Sequence, residues 1–150
     1  MAYQAKRKKQ FIEDLELTDV DGNVVHTLHV SLDADDMVPR LTRKYTALIR
    51  AQAETAEAKR KAETAEEVTE CFEKLGHAVT DLFEAVFGEE DTKTIIAFYD
   101  GRYIEMIKEI TPFITKCVIP RCMEIKKENQ SSILSTYNRK QRRAFFKKVR

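Results

Sequence analysis

A chain of 150 residues is long enough to bury one core and too short for two ordinary domains. The apolar share of 43% is usual for a globular chain, but 34% charged residues is high and demands long solvated faces, while four glycines and three prolines leave little room for irregular loops. The net charge of +1 conceals an asymmetry: residues 1–10 hold Lys6, Arg7, Lys8 and Lys9 with no acid, residues 138–150 hold seven Lys or Arg with none, and the stretch between carries all 25 acids and 15 bases.

No segment approaches the roughly 18 consecutive apolar residues of a membrane span. The basic opening runs straight into "FIEDLEL", so a secretory leader is not expected and synthesis in the cytoplasm is. Cys71, Cys117 and Cys122 show no CxxC spacing and read as small core residues.

In chain order, "FIEDLELTDVDGNVVHTLHVSL" predicts an antiparallel β-hairpin turning at Asp21-Gly22-Asn23, residues that tolerate positive φ. Pairing Leu15 with Leu28, or with Val30 one register along, puts Phe11, Leu15 and Leu17 on one apolar face with Leu28, Val30 and Leu32. An isolated hairpin is marginal in water, so that face must be covered. "DADD" at 33–36 supplies N-cap candidates, and Pro39 is expected in the first turn of the helix that follows.

Apolar positions Val38, Leu41, Tyr45 and Leu48 then thin through an alanine-rich stretch in which "AETAE" occurs twice, at 53–57 and 62–66. They resume as Val68, Phe72, Leu75, Val79, Leu82 and Val86, a regular helical stripe ending at Gly88, a natural helix stop. The reading favours one helix over 34–87, roughly 80 Å at about 1.5 Å per residue, with a break in the alanine-rich part as the alternative.

Asp91 is expected to cap a third helical element. Its stripe is Ile95, Ile96, Tyr99, Tyr103, Met106, Ile107, Ile110, Ile114, Cys117 and Val118, in phase across Asp100-Gly101. A kink or break is expected at Pro112, and Pro120 is expected to limit the end. The fold class is mainly α with a small N-terminal antiparallel β-hairpin (α+β), built from long amphipathic helices. Residues 1–10 form a basic arm, 11–127 the hairpin plus helical domain, and 128–150 a linker with a flexible basic tail.

Enzyme templates fail one by one. Glycines at 22, 76, 88 and 101 assemble neither a phosphate-binding loop nor a dinucleotide fingerprint. "DVDGN" at 19–23 has its glycine fourth, not sixth, and Val30 where a calcium loop needs its bidentate Glu. His26 and His29, three apart on a strand, point to opposite faces, and His77 has no helical metal partner. Glu89, Glu90 and Asp91 suit a helix-helix corner beside the next helix's positive end. No catalytic residue, metal or cofactor is expected.

Two features suit binding. The stripe Ile95, Ile96, Tyr99, Tyr103, Met106, Ile107 and Ile110 is read as core or a partner-docking face. The tail "NRKQRRAFFKKVR" interleaves Arg139, Lys140, Arg142, Arg143, Lys147, Lys148 and Arg150 with Phe145 and Phe146. That pattern suits an acidic partner or another copy of the chain, nucleic acid through phosphate contact and base stacking, or a lipid surface as an amphipathic helix.

The order of elements, with Asp81, Phe87, Gly88, Glu89, Phe98, Tyr99, Tyr103, Met106, Pro112, Phe113 and Ile114 in "DLFEAVFGEEDTKTIIAFYDGRYIEMIKEITPFI", resembles the tail assembly chaperones of long-tailed bacteriophages and prophages of Gram-positive bacteria. The resemblance is sharp over 80–115 and covers the hairpin in outline. The alanine-rich helix and the basic tail have no counterpart in it.

The resemblance implies a non-enzymatic assembly factor in the host cytoplasm, homo-oligomeric, that coats the helical tape-measure protein and delivers tail-tube subunits to it. The alternative is a virion structural or capsid-associated protein whose basic tails bind nucleic acid or neighbouring subunits.

Overall fold

The computed structural model describes residues 2–61 and 64–130. Strands β1 (Phe11–Thr18) and β2 (Val24–Leu32) form a two-stranded antiparallel sheet. Leu15 pairs with Leu28, the first of the two registers considered. One-face alternation holds: Phe11, Leu17, Leu28, Val30 and Leu32 are buried and Leu15 is half-buried. Ile12, on the opposite face, is exposed.

At the turn, the Asp19 carboxylate accepts the backbone N–H groups of Asp21 (3.0 Å) and Asn23 (2.9 Å), while Gly22 takes φ of 85°. The acid that resembled a calcium ligand is thus engaged by its own turn. The register slips beside Leu17/Thr18, leaving Val25 as the extra residue of a bulge.

Four helices follow: α1 (Ala34–Lys61), α2 (Ala65–Phe87), α3 (Glu89–Phe98) and α4 (Tyr103–Phe113). The single helix favoured for 34–87 is corrected to two. Thr64 is extended (φ −132°, ψ 150°) and its hydroxyl accepts the Glu67 N–H, one arm of a Thr-x-x-Glu capping box. The two "AETAE" copies differ here, because Thr55 has Ala58 three residues on where Thr64 has Glu67. Thr55 therefore stays helical and its hydroxyl bonds back to the Ala51 carbonyl at 2.8 Å.

Packing between α1 and α2 is antiparallel. Thr55 Oγ1 also lies 3.3 Å from the Cys71 carbonyl, and Lys59 Nζ stands 4.9 Å from the centre of the Phe72 ring. Asp33 caps α1 by accepting the Asp35 N–H at 3.0 Å. Pro39 falls in the second turn, not the first, and withholds a donor from the Asp35 carbonyl.

Gly88, at φ 85°, ends α2 by donating to the Glu84 carbonyl and begins α3, so the cap expected of Asp91 is supplied by the glycine. Asp91 sits inside the first turn with Glu89 and Glu90, where the helix dipole favours carboxylates. Asp100 (φ 54°) and Gly101 (φ 73°) then break the third element in two. Gly101 N–H returns to the Ile96 carbonyl at 2.9 Å, a left-handed helix ending that overrides the continuous apolar phase.

Pro112 produces no break. The helix passes through it and widens into a π-helical turn at Ile114–Val118, then runs on helically over 119–130. Pro120 consequently does not limit it: a turn widened just before a proline gives the ring room beside the carbonyl four residues back. Residues 128–130, read from sequence as the start of a linker, are still helical, and the basic tail lies outside the described residues.

The core gathers the hairpin face, Leu41 and Leu48 of α1, Leu75, Val79, Leu82, Phe83 and Val86 of α2, Ile95, and the inner face from Met106 to Ile125. Phe83, Phe87 and Phe113 form an aromatic chain, with ring centres 5.9 Å apart for Phe83–Phe87 and 6.1 Å for Phe87–Phe113. His26 meets Phe98 edge-on at 6.2 Å, tying the hairpin to α3.

Candidate docking groove

A concavity bearing a sequence-predicted residue lies along one face of α2. Thr69, Phe72, Glu73, Gly76, His77 and Thr80 recur at spacings of three and four, so they line one helix face, and Tyr103 at the start of α4 closes one side. The groove holds about 480 Å³ and is widely open.

Its floor depends on Gly76. A β-carbon there would stand 2.9 Å from Cε2 and 3.0 Å from Cζ of Tyr103, so only glycine lets the ring lie against the α2 backbone. That close approach accounts for a glycine in mid-helix, where it costs about 1 kcal/mol relative to alanine. The Thr80 hydroxyl is engaged, donating to the Gly76 carbonyl at 2.8 Å. Glu73 and His77 are exposed at the rim, leaving Phe72 and Tyr103 as the apolar surface.

The predicted docking stripe is divided by the turn at 99–102. Ile95, Met106, Ile107 and Ile110 are buried in the core, so they do not present a free face. Ile96 and Tyr99 are half-buried against the core, and Tyr103 alone lines the groove. Had 89–118 been one helix, its stripe would have outrun the core; folded back as α3 and α4 over α2, both halves are covered. Arg139, Lys140, Arg142, Arg143, Lys147, Lys148 and Arg150 lie outside the described residues.

Sequence reasoning overlooked Phe72 and Gly76 as groove residues. The available signal was a glycine inside an unbroken apolar stripe, which marks a close approach when no turn accompanies it.

Among the described residues no three His, Cys, Asp or Glu side chains gather to hold a metal ion. Burial pushes the Tyr99 phenol up, helped by the carboxylates of Glu109 and Glu105, and burial does the same for the Cys122 thiol. Hydrogen bonding to Asp35 and Glu124 raises Lys8 and Arg121 respectively, both at exposed ion pairs. His29 Nδ1 and Asp14 Oδ1 are 2.7 Å apart on the solvent face of the hairpin. Among the described residues no helix is long and apolar enough to cross a membrane.

Comparison with known proteins returned no family model, curated protein or solved structure that matches the chain.

Proposed function

We propose that the chain is a non-enzymatic phage tail assembly factor that binds the helical tape-measure protein and helps recruit tail-tube subunits, working as a homo-oligomer. The observation that carries this reading is the open groove along α2, inside and beside the segment that resembles tail assembly chaperones. A straight channel running with a helix, floored by Gly76 and walled by Phe72 and Tyr103, suits the apolar ridge of a partner helix. Its polar rim residues, Glu73 and His77, fit polar positions flanking such a ridge.

Co-purification with fragments of the tape-measure protein encoded beside the chain tests the reading. Tape-measure capture by the wild type and its loss in Phe72→Asp, which puts a charge on the apolar wall and leaves the Gly76–Tyr103 contact intact, with circular dichroism showing the variant folded, is the expected pair of results. A chain that stays monomeric at high concentration and ignores every tape-measure fragment would sink the proposal.

A further inference from the structure

The basic surface of α1 is built by a stretch the tail-assembly reading does not use. From Met37 to Ala53 the helix carries Arg40, Arg43, Lys44 and Arg50 and no acid. Spacings of three, four and seven place these cations on one arc of the helix with Ala47 between them. Arg40, Arg43, Lys44 and Ala47, with Asp36 at one end, line a shallow groove of about 470 Å³. None of the four cations has an acid within ion-pair distance among the described residues, although α2 alongside carries six carboxylates.

A second observation extends that surface. The basic arm is pinned at two points, Lys8 to Asp35 at 2.9 Å and Lys9 to Glu128 at 3.1 Å, and Asn129 Nδ2 donates to the Lys9 carbonyl at 3.4 Å. The first pin sits one turn from Arg40. The second holds the arm against the last described turn, two residues before the chain continues into 131–150 with its seven cations. The arm is therefore held between the start of α1 and the last described turn. Lys6 and Arg7 make no ion pair among the described residues, and Tyr3 beside them is exposed.

We infer that the α1 face is a nucleic-acid-binding surface, with Arg40, Arg43 and Lys44 gripping the phosphate backbone and Lys6 and Arg7 of the arm extending the contact. Two of the three groove cations are arginines, whose planar forks engage phosphate, like carboxylate, through paired hydrogen bonds. The competing occupant is the acidic α2 face of another copy. It offers Glu66, Glu67, Glu70, Glu73, Asp81 and Glu84, fewer charges than Lys6, Arg7, Arg40, Arg43, Lys44 and Arg50 together with the seven cations that the sequence carries in the tail. A polyanion of indefinite length has no such ceiling. This inference does not rest on the tail-assembly reading.

The test measures binding of the full chain to a labelled mixed-sequence single-stranded RNA oligonucleotide over a salt series from about 50 to 200 mM. The wild type is expected to bind with affinity falling steeply as salt rises. Arg40→Gln/Arg43→Gln/Lys44→Gln should flatten the log–log slope by about 2, since each lost phosphate contact to a single strand removes about 0.7. Arg43→Lys should keep the slope, and deletion of 131–150 should lower it while leaving a component that the triple variant removes. All three cations are outside the core, so circular dichroism should show each variant folded. An unchanged slope in the triple variant overturns the inference, as does complete loss of binding on deleting 131–150. Tighter binding of polyglutamate than of RNA, or loss of self-association in the triple variant with no RNA bound by the wild type, assigns the face to an acidic protein surface instead.

Discussion

The two ends of the α1–α2 pair are held by different means. Near the hairpin, Leu41 and Leu48 meet Leu75, Val79, Leu82 and Phe83 in a seam of large side chains closed over by the sheet and by Met106 to Ile125. At the far end the seam is Ala51, Thr55, Cys71 and Phe72, with a shared hydroxyl and a surface cation–π pair as its specific interactions. Burial stabilises at roughly 25 cal/mol per Å², so the first end carries most of the hydrophobic driving force. The second depends on helix propensity and the Thr64 cap. Local opening should therefore begin at the 55–71 end while the hairpin end remains closed.

The largest effect that can break this comparison is Phe83→Ala. Phe83 is fully buried and edge-packed on Phe87, so truncation should cost about 3–5 kcal/mol in urea denaturation. The loss should appear in global unfolding and quicken exchange most at the hairpin-end amides, since those at the 55–71 end already exchange through local opening. Exchange quickened only at the 55–71 end would mean that the hairpin end does not carry most of the hydrophobic driving force.

Thr55→Val should cost about 1 kcal/mol and act locally. One hydroxyl proton serves two carbonyls, those of Ala51 and Cys71, so valine keeps the shape and removes the bridge. Native-state hydrogen exchange should quicken around Thr55 and Cys71 and leave Val79 to Val86 unchanged. An equal change at both positions would mean that the far end is not the weaker one.

Gly76 sharpens the comparison at its midpoint. Gly76→Ala gains up to about 1 kcal/mol of helix propensity but drives a methyl into the Tyr103 ring. In a Tyr103→Ala background the gain should be recovered in full, and the double-mutant cycle should give a coupling of about 1 kcal/mol. Additive effects would show that the ring yields freely into the groove.

These sites also show what was legible in the sequence. The hairpin and its buried face followed from a period of two and one Asp-Gly turn, while the register, open between Leu28 and Val30 as partner of Leu15, was decided by the structure. The α2 stripe and its stop at Gly88 followed from a period of 3.6 and a single glycine. The break after Lys61 was written in Thr64-x-x-Glu67, yet the repeated "AETAE" masked it, because the copies differ only in the residue that closes the box. Phase continuity misled at Asp100-Gly101: an apolar stripe can keep its period through a left-handed turn that reverses the chain. Proline rules misled about a helix end at Pro120, which the widened turn at Ile114–Val118 precedes, and α4 runs through Pro112 without a break. The groove needed tertiary information, since nothing near Gly76 in sequence indicates that Tyr103 lies on it. The pinning of Lys8 and Lys9 to Asp35 and Glu128 was equally beyond reach, the partners being 27 and 119 residues away.

Thr92→Val tests the corner that joins the strong end to α3. The Thr92 hydroxyl is buried and has no partner among the described residues, while its backbone N–H donates to the Gly88 carbonyl at 3.1 Å. Removing a buried, unpaired hydroxyl at constant shape should stabilise the chain by up to about 1 kcal/mol. A loss instead would assign that hydroxyl a bound partner and the corner a polar role.

The smallest effect is a pH dependence at Tyr99. Burial first, then Glu109 and Glu105, hold its phenol above the ordinary value of 10.0. Below that value both folded and unfolded chains keep the proton and the group is neutral to stability. Between the unfolded and the raised folded value only the unfolded chain ionises, so stability falls as pH rises through that window. Tyr99→Phe cannot ionise, so its thermal midpoint should decline less steeply above about pH 10 than that of the wild type, with no difference between their slopes at neutral pH. Cys122, whose buried thiol is raised in the same sense, is common to both proteins and cancels in the difference. Parallel curves through the alkaline range would mean that the ring samples solvent freely, and that the half-buried edge between α3 and α4 is looser than the core it covers.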